Sequence, residues 1–327
     1  MIFFLLACET DVAPKATEAP EYDVDMRLNV GDWTEPAAGE VFFGPDVVIP
    51  AGGDVMYCLV GTYTGTDQGV HTLTTYQAAS GHHLVLMGTT ATAVDYADGE
   101  IFDCTTTAQL NMSNLEPIVL ATTGYTGGAK LENEITIPEG MAVKLDAGQR
   151  WVMQAHYLNT STESIRVRDV AVLEYVPPEN VTTWAAPFVL NNAGFSIPAG
   201  TDGYTEAFDC TFGGGSADHE EIPDTGWYAL YLNSHMHEWG KAFQLTRTRG
   251  AVADKVIDIP AWNPYFRDAP PTTIYAPDTF DIAPGDTFRT SCTWFNDTDT
   301  PIEFPDEMCD SVGLVYPQRT PVICDAE

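Results

Sequence analysis

The sequence predicts an all-β chain built as two consecutive β-sandwiches, and three observations carry that reading. Between Val30 and Tyr316 no apolar pattern with a 3.6-residue period is sustained. Short runs rich in β-branched and aromatic residues recur instead, parted by clusters of Gly, Pro, Asn, Asp and Thr. The succession of runs breaks at Pro177-Pro178 and the polar Glu179-Asn-Val-Thr-Thr183, then begins again. Residues 31–178 and 179–327 are therefore the two expected domains, each about 145 residues and of ordinary domain size.

The elements follow in order. In the first half, strands are expected at Val41 to Phe43, Asp54 to Val60, His83 to Met87, Ala142 to Leu145, Arg150 to Tyr157 and Val167 to Tyr175. Ile49-Pro-Ala-Gly-Gly53 and Ile137-Pro-Glu-Gly140 supply turns between them, because Pro fixes φ and Gly tolerates φ > 0. In the second half the expected strands are Phe195 to Ile197, Thr205 to Phe208, Trp227 to Leu232, Ala242 to Thr246, Lys255 to Ile259, Thr287 to Phe295 and Val312 to Tyr316. The phrase Ile137-Pro-Glu-Gly140 is answered there by Ile197-Pro-Ala-Gly200 and Ile282-Ala-Pro-Gly285, a weak sign of an internal repeat. Many short strands at this spacing make a sandwich or jelly roll.

Ahead of this body, Met1-Ile-Phe-Phe-Leu-Leu-Ala-Cys8 is apolar and ends in a phrase that resembles the lipobox of bacterial lipoproteins, whose Cys is acylated. Residues 1–8 are expected to be a signal remnant with Cys8 lipidated; the run is too short to span a bilayer and lacks a basic leader. Residues 9–30, acidic and carrying Pro14 and Pro20, read as a disordered tether. The expected location is outside the cytoplasm, periplasm or cell surface, lipid-anchored to a bacterial membrane. Lys and Arg number 14 against 47 Asp and Glu, a formal charge of −33. Such a field repels nucleic acid and anionic headgroups, which excludes polyanion partners and leaves the lipid as the expected membrane contact. Of seven cysteines, six remain after Cys8, with no Cys-x-x-Cys; in an exported chain that implies three disulfides. Asn-x-Ser/Thr triplets at Asn111, Asn159, Asn180 and Asn296 are read as chance in a Thr-rich chain rather than as glycosylation acceptors.

Five of the seven histidines lie in three contexts, with His71 and His219 read as ordinary surface residues. The apolar run ending at Leu232 delivers Asn233-Ser-His-Met-His-Glu-Trp-Gly-Lys241. On an extended chain residues i and i+2 share a face, so His235 and His237 converge at metal-ligand spacing. His82 and His83 open Gly81-His-His-Leu-Val-Leu-Met87; neighbouring strand residues point to opposite faces, so joint ligation there needs a distorted strand end or unlike ring nitrogens. His156, in Trp151-Val-Met-Gln-Ala-His-Tyr157, reads by itself as a core or surface histidine. Asp306-Glu-Met-Cys-Asp310 supplies Met308, a soft thioether, and a His/His/Met set selects copper over zinc.

Taken in order, Gly81-His-His83, Gln154-Ala-His-Tyr157, His235-Met-His-Glu-Trp-Gly-Lys241 and Asp306-Glu-Met-Cys309 resemble the copper type II, ascorbate-dependent monooxygenases, the relatives of peptidylglycine α-hydroxylating monooxygenase and dopamine β-monooxygenase. The likeness runs from about residue 40 to 320. It implies two tandem jelly-roll domains, each with a copper site, facing across a cleft. His82, His83 and His156 would hold the electron-transfer copper. His235, His237 and Met308 would hold the copper that meets O2 and carry the catalysis. It also implies disulfides Cys58–Cys104, Cys210–Cys324 and Cys292–Cys309, the last restraining Met308. The implied reaction is hydroxylation of a C–H bond of a small organic substrate with O2 and a reductant such as ascorbate, at two coppers per chain.

The sequence departs from the family where the peptidylglycine enzyme anchors its substrate's carboxylate. Asn233 and Val312 stand there in place of Arg and Tyr, and Asp310 is expected to repel a carboxylate. A neutral or cationic substrate is therefore expected, contacted by Asn233 and Asp310. The alternative is a non-catalytic copper-binding or scavenging lipoprotein that keeps the ligands; an incidental-histidine binding sandwich is the third.

Overall fold

The computed structural model describes residues 21–104, 115–116, 131–213, 222–267, 270–304 and 306–326. Cys8, most of the tether, Asn111 and His219 lie outside them. Among the described residues there is no α-helix; strands are joined by turns and by two short 3-10 turns, Pro178–Asn180 and Pro264–Arg267. The expectation of an all-β, sandwich-like chain holds.

Three sheets build the body. A five-stranded sheet centres on Arg150–Leu158, which runs antiparallel between Asp54–Thr62 and Gly81–Thr89. A four-stranded sheet has Thr287–Asn296 between Thr201–Thr211 and Gly240–Arg249, with Val252–Ile259 at the edge. Both pack on an eleven-stranded sheet that runs through the two halves of the chain. Its seam is the parallel pair Met141–Leu145 with Thr183–Asn192. A separate small sheet joins Val24–Asp25, Ile165–Val167 and Val47–Ile49.

Apolar alternation on the inward faces yields two large clusters. One gathers Leu73, Leu84, Met153, Tyr157 and Leu173; the other gathers Phe188, Phe212, Trp227, Phe288 and Trp294. Leu230, Leu314 and Tyr316, from the second half, bury into the first cluster, so the halves share apolar surface as well as a sheet.

Two ten-residue strands were not legible as such. Gln68–Gln77 carries Thr72, Thr74 and Thr75, yet it is central, paired on both sides, with those residues buried. Thr183–Asn192 follows directly on the polar break that the sequence marks as a boundary. The expected strand at Phe195 to Ile197 is instead a single bridge, Ile197 to Ile302.

A turn does repeat, but the counterpart of Ile197-Pro-Ala-Gly200 is Ile49-Pro-Ala-Gly-Gly53 rather than Ile137-Pro-Glu-Gly140. In the first half, Asn159, 1% exposed, donates to Ile49 O and Pro50 O and accepts from Ser161 Oγ, while Gly52 N donates to Ser161 O at 3.2 Å. In the second, Asn296, also 1% exposed, donates to Ile197 O and accepts from Thr298 Oγ1, while Gly200 N donates to Thr298 O at 3.2 Å. Gly52 and Gly200 take φ of +69° and +64°, the left-handed region that glycine enters without a Cβ penalty. Both asparagines are thus committed to internal bonds, in line with reading their triplets as chance rather than as glycan acceptors.

All three disulfides form as the resemblance implies, with Cα–Cα distances of 5.5 Å for Cys58–Cys104, 6.2 Å for Cys210–Cys324 and 5.9 Å for Cys292–Cys309. These distances lie within the normal bridging range.

Candidate metal centre

The strand-end distortion that lets two adjacent histidines ligate together is present. In the pairing of Arg150–Leu158 with Gly81–Thr89, His83 lies opposite His156 and Gly81 opposite Tyr157, so the register shifts there and His82 is the inserted residue. A β-bulge re-aims side chains in this way. Gly81 allows it: a Cβ there would meet Gln77 Nε2 at 2.7 Å and Ala78 O at 3.0 Å.

The result is a cluster in which one ring nitrogen each of His82, His83 and His156 lie within 4.8 Å of one another. Nδ1 of His82 is 3.1 Å from Nδ1 of His156. His156 Nε2 lies 2.5 Å from Asp54 Oδ1, so this nitrogen carries the proton and Nδ1 keeps its lone pair for the cluster. A carboxylate behind a histidine is the usual orienting partner of a metal ligand. Burial holds His156 down, to a pKa of about 4, with the neighbouring His83 adding to the effect and Asp54 opposing it. It is therefore a neutral imidazole at pH 7, the form that ligates metal.

The loop in front of this cluster is fixed from beneath. Asp169, fully buried, accepts from Ala78 N at 2.8 Å and Gln77 Nε2 at 3.3 Å. Desolvation pushes its carboxyl up to about 7 against those bonds.

The second histidine pair extends past the end of the Trp227–Asn233 strand. His235 forms an isolated bridge with Asp310, and Met236 between the histidines is fully buried, so His235 and His237 share the outer face as the i, i+2 argument requires. Their Nε2 atoms are 3.2 Å apart. His237 Nδ1 donates to Asp306 O at 2.9 Å, which leaves Nε2 as the ligating nitrogen. Met308 comes in on the neighbouring segment, two residues ahead of Asp310 and directly before the disulfide-bonded Cys309.

Glu307, which sequence reasoning missed, ties the segments together. Its buried carboxyl accepts from the backbone N–H of His237 (2.9 Å) and Trp239 (2.8 Å) and from Trp294 Nε1 (3.0 Å). Burial raises its pKa to about 7 in spite of these donors.

The two residues expected to contact substrate are engaged inside the fold. Asn233 Oδ1 accepts from Val312 N at 3.0 Å and its backbone carbonyl accepts from Ser311 Oγ. Asp310 is 2% exposed and accepts from Asn192 N at 3.2 Å; burial raises its pKa well above the carboxylate range. Asp310 thus faces the interior of the fold rather than a surface that an incoming carboxylate would meet. His71 is half-buried with Nδ1 3.1 Å from Thr72 Oγ1, not the plain surface residue expected.

A residue with no sequence signal bridges the two histidine groups. Arg267, on the Pro264–Arg267 turn of the second half, places Nη2 3.1 Å from His82 Nδ1 and 3.3 Å from His156 Nδ1. Its Nη1 pairs with Glu238, the residue after His237. The space expected to be an open cleft is thus spanned by an ion pair.

No family model and no curated protein matches the chain. Among solved structures, PNGase F, a glycosylasparaginase from Flavobacterium meningosepticum, is 13% identical and aligns over 87% of this chain and 98% of its own, with a TM-score of 0.37. The STIV MCP is 11% identical over 85% and 96%, with a TM-score of 0.32. An infectious bursal disease virus VP2 subviral particle is 9% identical over 87% and 73%, with a TM-score of 0.24. At these scores the likeness fixes neither a shared topology nor an activity.

Proposed function

We propose that this chain is an exported copper-dependent monooxygenase made of two jelly-roll units, 31–178 and 179–327, that hydroxylates a C–H bond of a small organic substrate with O2 and a reductant such as ascorbate. The observation that carries the reading is the bulge at His82, which gathers three neutral-capable imidazoles where a regular strand would separate two of them. His82, His83 and His156 would hold one copper, and His235, His237 and Met308 the other. Copper, when bound, supplies the one-electron redox chemistry that no side chain here provides.

The chain's own residues do the rest. Asp54 and Asp306 O fix the tautomers of His156 and His237, so that Nδ1 of the one and Nε2 of the other face the site. Glu307 and the Cys292–Cys309 bridge hold the Met308 segment against the His237 loop. The acidic field favours a neutral or cationic substrate over an anion. The disulfides accord with a site outside the cytoplasm, tethered through Cys8.

The alternative, copper binding without catalysis, has its own support: Asn233 and Asp310 are engaged in the fold and offer a substrate little. Oxygen uptake by the copper-loaded chain with ascorbate, against a panel of amines, amides and phenethyl compounds, decides between them. Uptake that depends on both copper and one of these compounds is the expected result. Two coppers bound with no substrate-dependent uptake would establish the binding protein instead.

A further inference from the structure

We infer that Arg267 is a resident counter-cation of the three-histidine cluster, and that its guanidinium and a metal ion occupy the cluster in mutual exclusion. The inference rests on reading that cluster as a copper site.

Two imidazole lone pairs 3.1 Å apart repel unless a proton or a cation lies between them. For His156 the proton is accounted for on Nε2, against Asp54. Arg267 Nη2 meets the need: at 3.1 and 3.3 Å from the two Nδ1 atoms, it directs one N–H to each. A guanidinium never deprotonates in proteins, so the positive charge is permanent. A metal ion ligated by both nitrogens sits about 2 Å from each. It requires the same two lone pairs that Nη2 now engages, and it cannot share them with a cation in hydrogen-bond contact. Metal entry therefore expels Arg267, and metal loss readmits it.

The expelled group has a tether. Arg267 Nη1 is paired with Glu238, which adjoins His237, and Trp262 Nε1 on the same segment donates to His237 O at 3.0 Å. Filling the first cluster thus releases one end of an ion pair whose other end is anchored beside the second histidine pair. Arg267 is a positioning residue in this scheme, acting on metal access and on the loop that carries His237.

The test uses the full chain with His235→Ala and His237→Ala, so that one cluster remains, and titrates Cu(I) against a chromophoric chelator with and without Arg267→Gln. In parallel, diethyl pyrocarbonate labelling of His82 in the metal-free chain is followed by peptide mapping. Losing charge-assisted bonds to both rings should tighten Cu(I) roughly tenfold and speed the labelling of His82. Arg267→Lys, which keeps the charge but not the fork, should fall between. Equal Cu(I) affinity with and without Arg267 would overturn the exclusion and leave the copper reading standing. Absence of Cu(I) binding in both proteins would overturn the copper reading, and the exclusion with it.

Discussion

At the scale of single residues, the candidate ligands stood out because histidine and methionine are rare in this chain and sit at chemically meaningful spacings. Their partners were not. Arg267 lies 185 residues from His82, Asp54 lies 102 from His156, and Glu307 lies 70 from His237, so only the fold brings them together. Met308→Ile is expected to abolish substrate-dependent oxygen uptake while the His82/His83/His156 copper is retained, as copper counting on the loaded variant will report. Isoleucine offers similar bulk and no lone pair, and such a swap in a core costs less than about 1.5 kcal/mol. Full turnover would show that the thioether is packing only. Asp169 gives a prediction in pH. Its unfolded carboxyl titrates near the usual value of 3.8 and its folded one near 7, so between these the folded state binds the extra proton. Stability from this group is present in acid, falls as pH rises from about 4 to 7, and is level above that. The difference in unfolding free energy between wild type and Asp169→Asn should therefore decline across that window in urea titrations; a flat difference would exclude the shift.

At the scale of elements, alternation and turn chemistry marked most strands, and failed where threonine fills a buried strand. Gln68–Gln77 reads as polar because its hydroxyls are counted as such, yet paired strands on both sides satisfy its backbone and cover it. A distorted strand end was foreseen as one of two ways for His82 and His83 to ligate together, and the bulge itself was not located. The buried asparagines were visible only as triplets. Asn159→Ala and Asn296→Ala each leave backbone carbonyls and a turn without their donor, with an expected cost of about 1–3 kcal/mol per orphaned buried group. Equal losses in chemical denaturation at the two positions are expected; a neutral result at either would mean that water replaces the side chain.

At the scale of the whole molecule, the break at Pro177-Pro178 gave no sign of the sheet that crosses it. Nothing in local sequence reports a parallel pairing between Met141–Leu145 and Thr183–Asn192. The charge of −33 was legible outright and has a global consequence. Self-repulsion destabilises the compact state and is screened over a Debye length of about 3 Å at 1 M salt. The melting temperature should rise with sodium chloride up to that concentration, and calorimetry showing a fall would contradict it.

The bulge of the first half has a twin. In the second, Gly240 lies opposite Trp294 and Ala242 opposite Thr293, which leaves Lys241 as the inserted residue, and Lys241 pairs with Asp202. Leu158 N donates to Ser80 O in the one half and Phe295 N to Trp239 O in the other, both at 2.9 Å. By this register Lys241 stands for His82, Ala242 for His83, Thr293 for His156, Asp202 for Asp54, and His237 for Ala78. The two halves thus carry a bulge at the same register, with imidazoles around it in the first and an ammonium at it in the second. Lys241→His, Ala242→His and Thr293→His together should then raise a further metal site at the second bulge, read as one added equivalent of bound copper. A chain that folds and binds no more than before would mean that the shared register alone does not make the bulge a metal site.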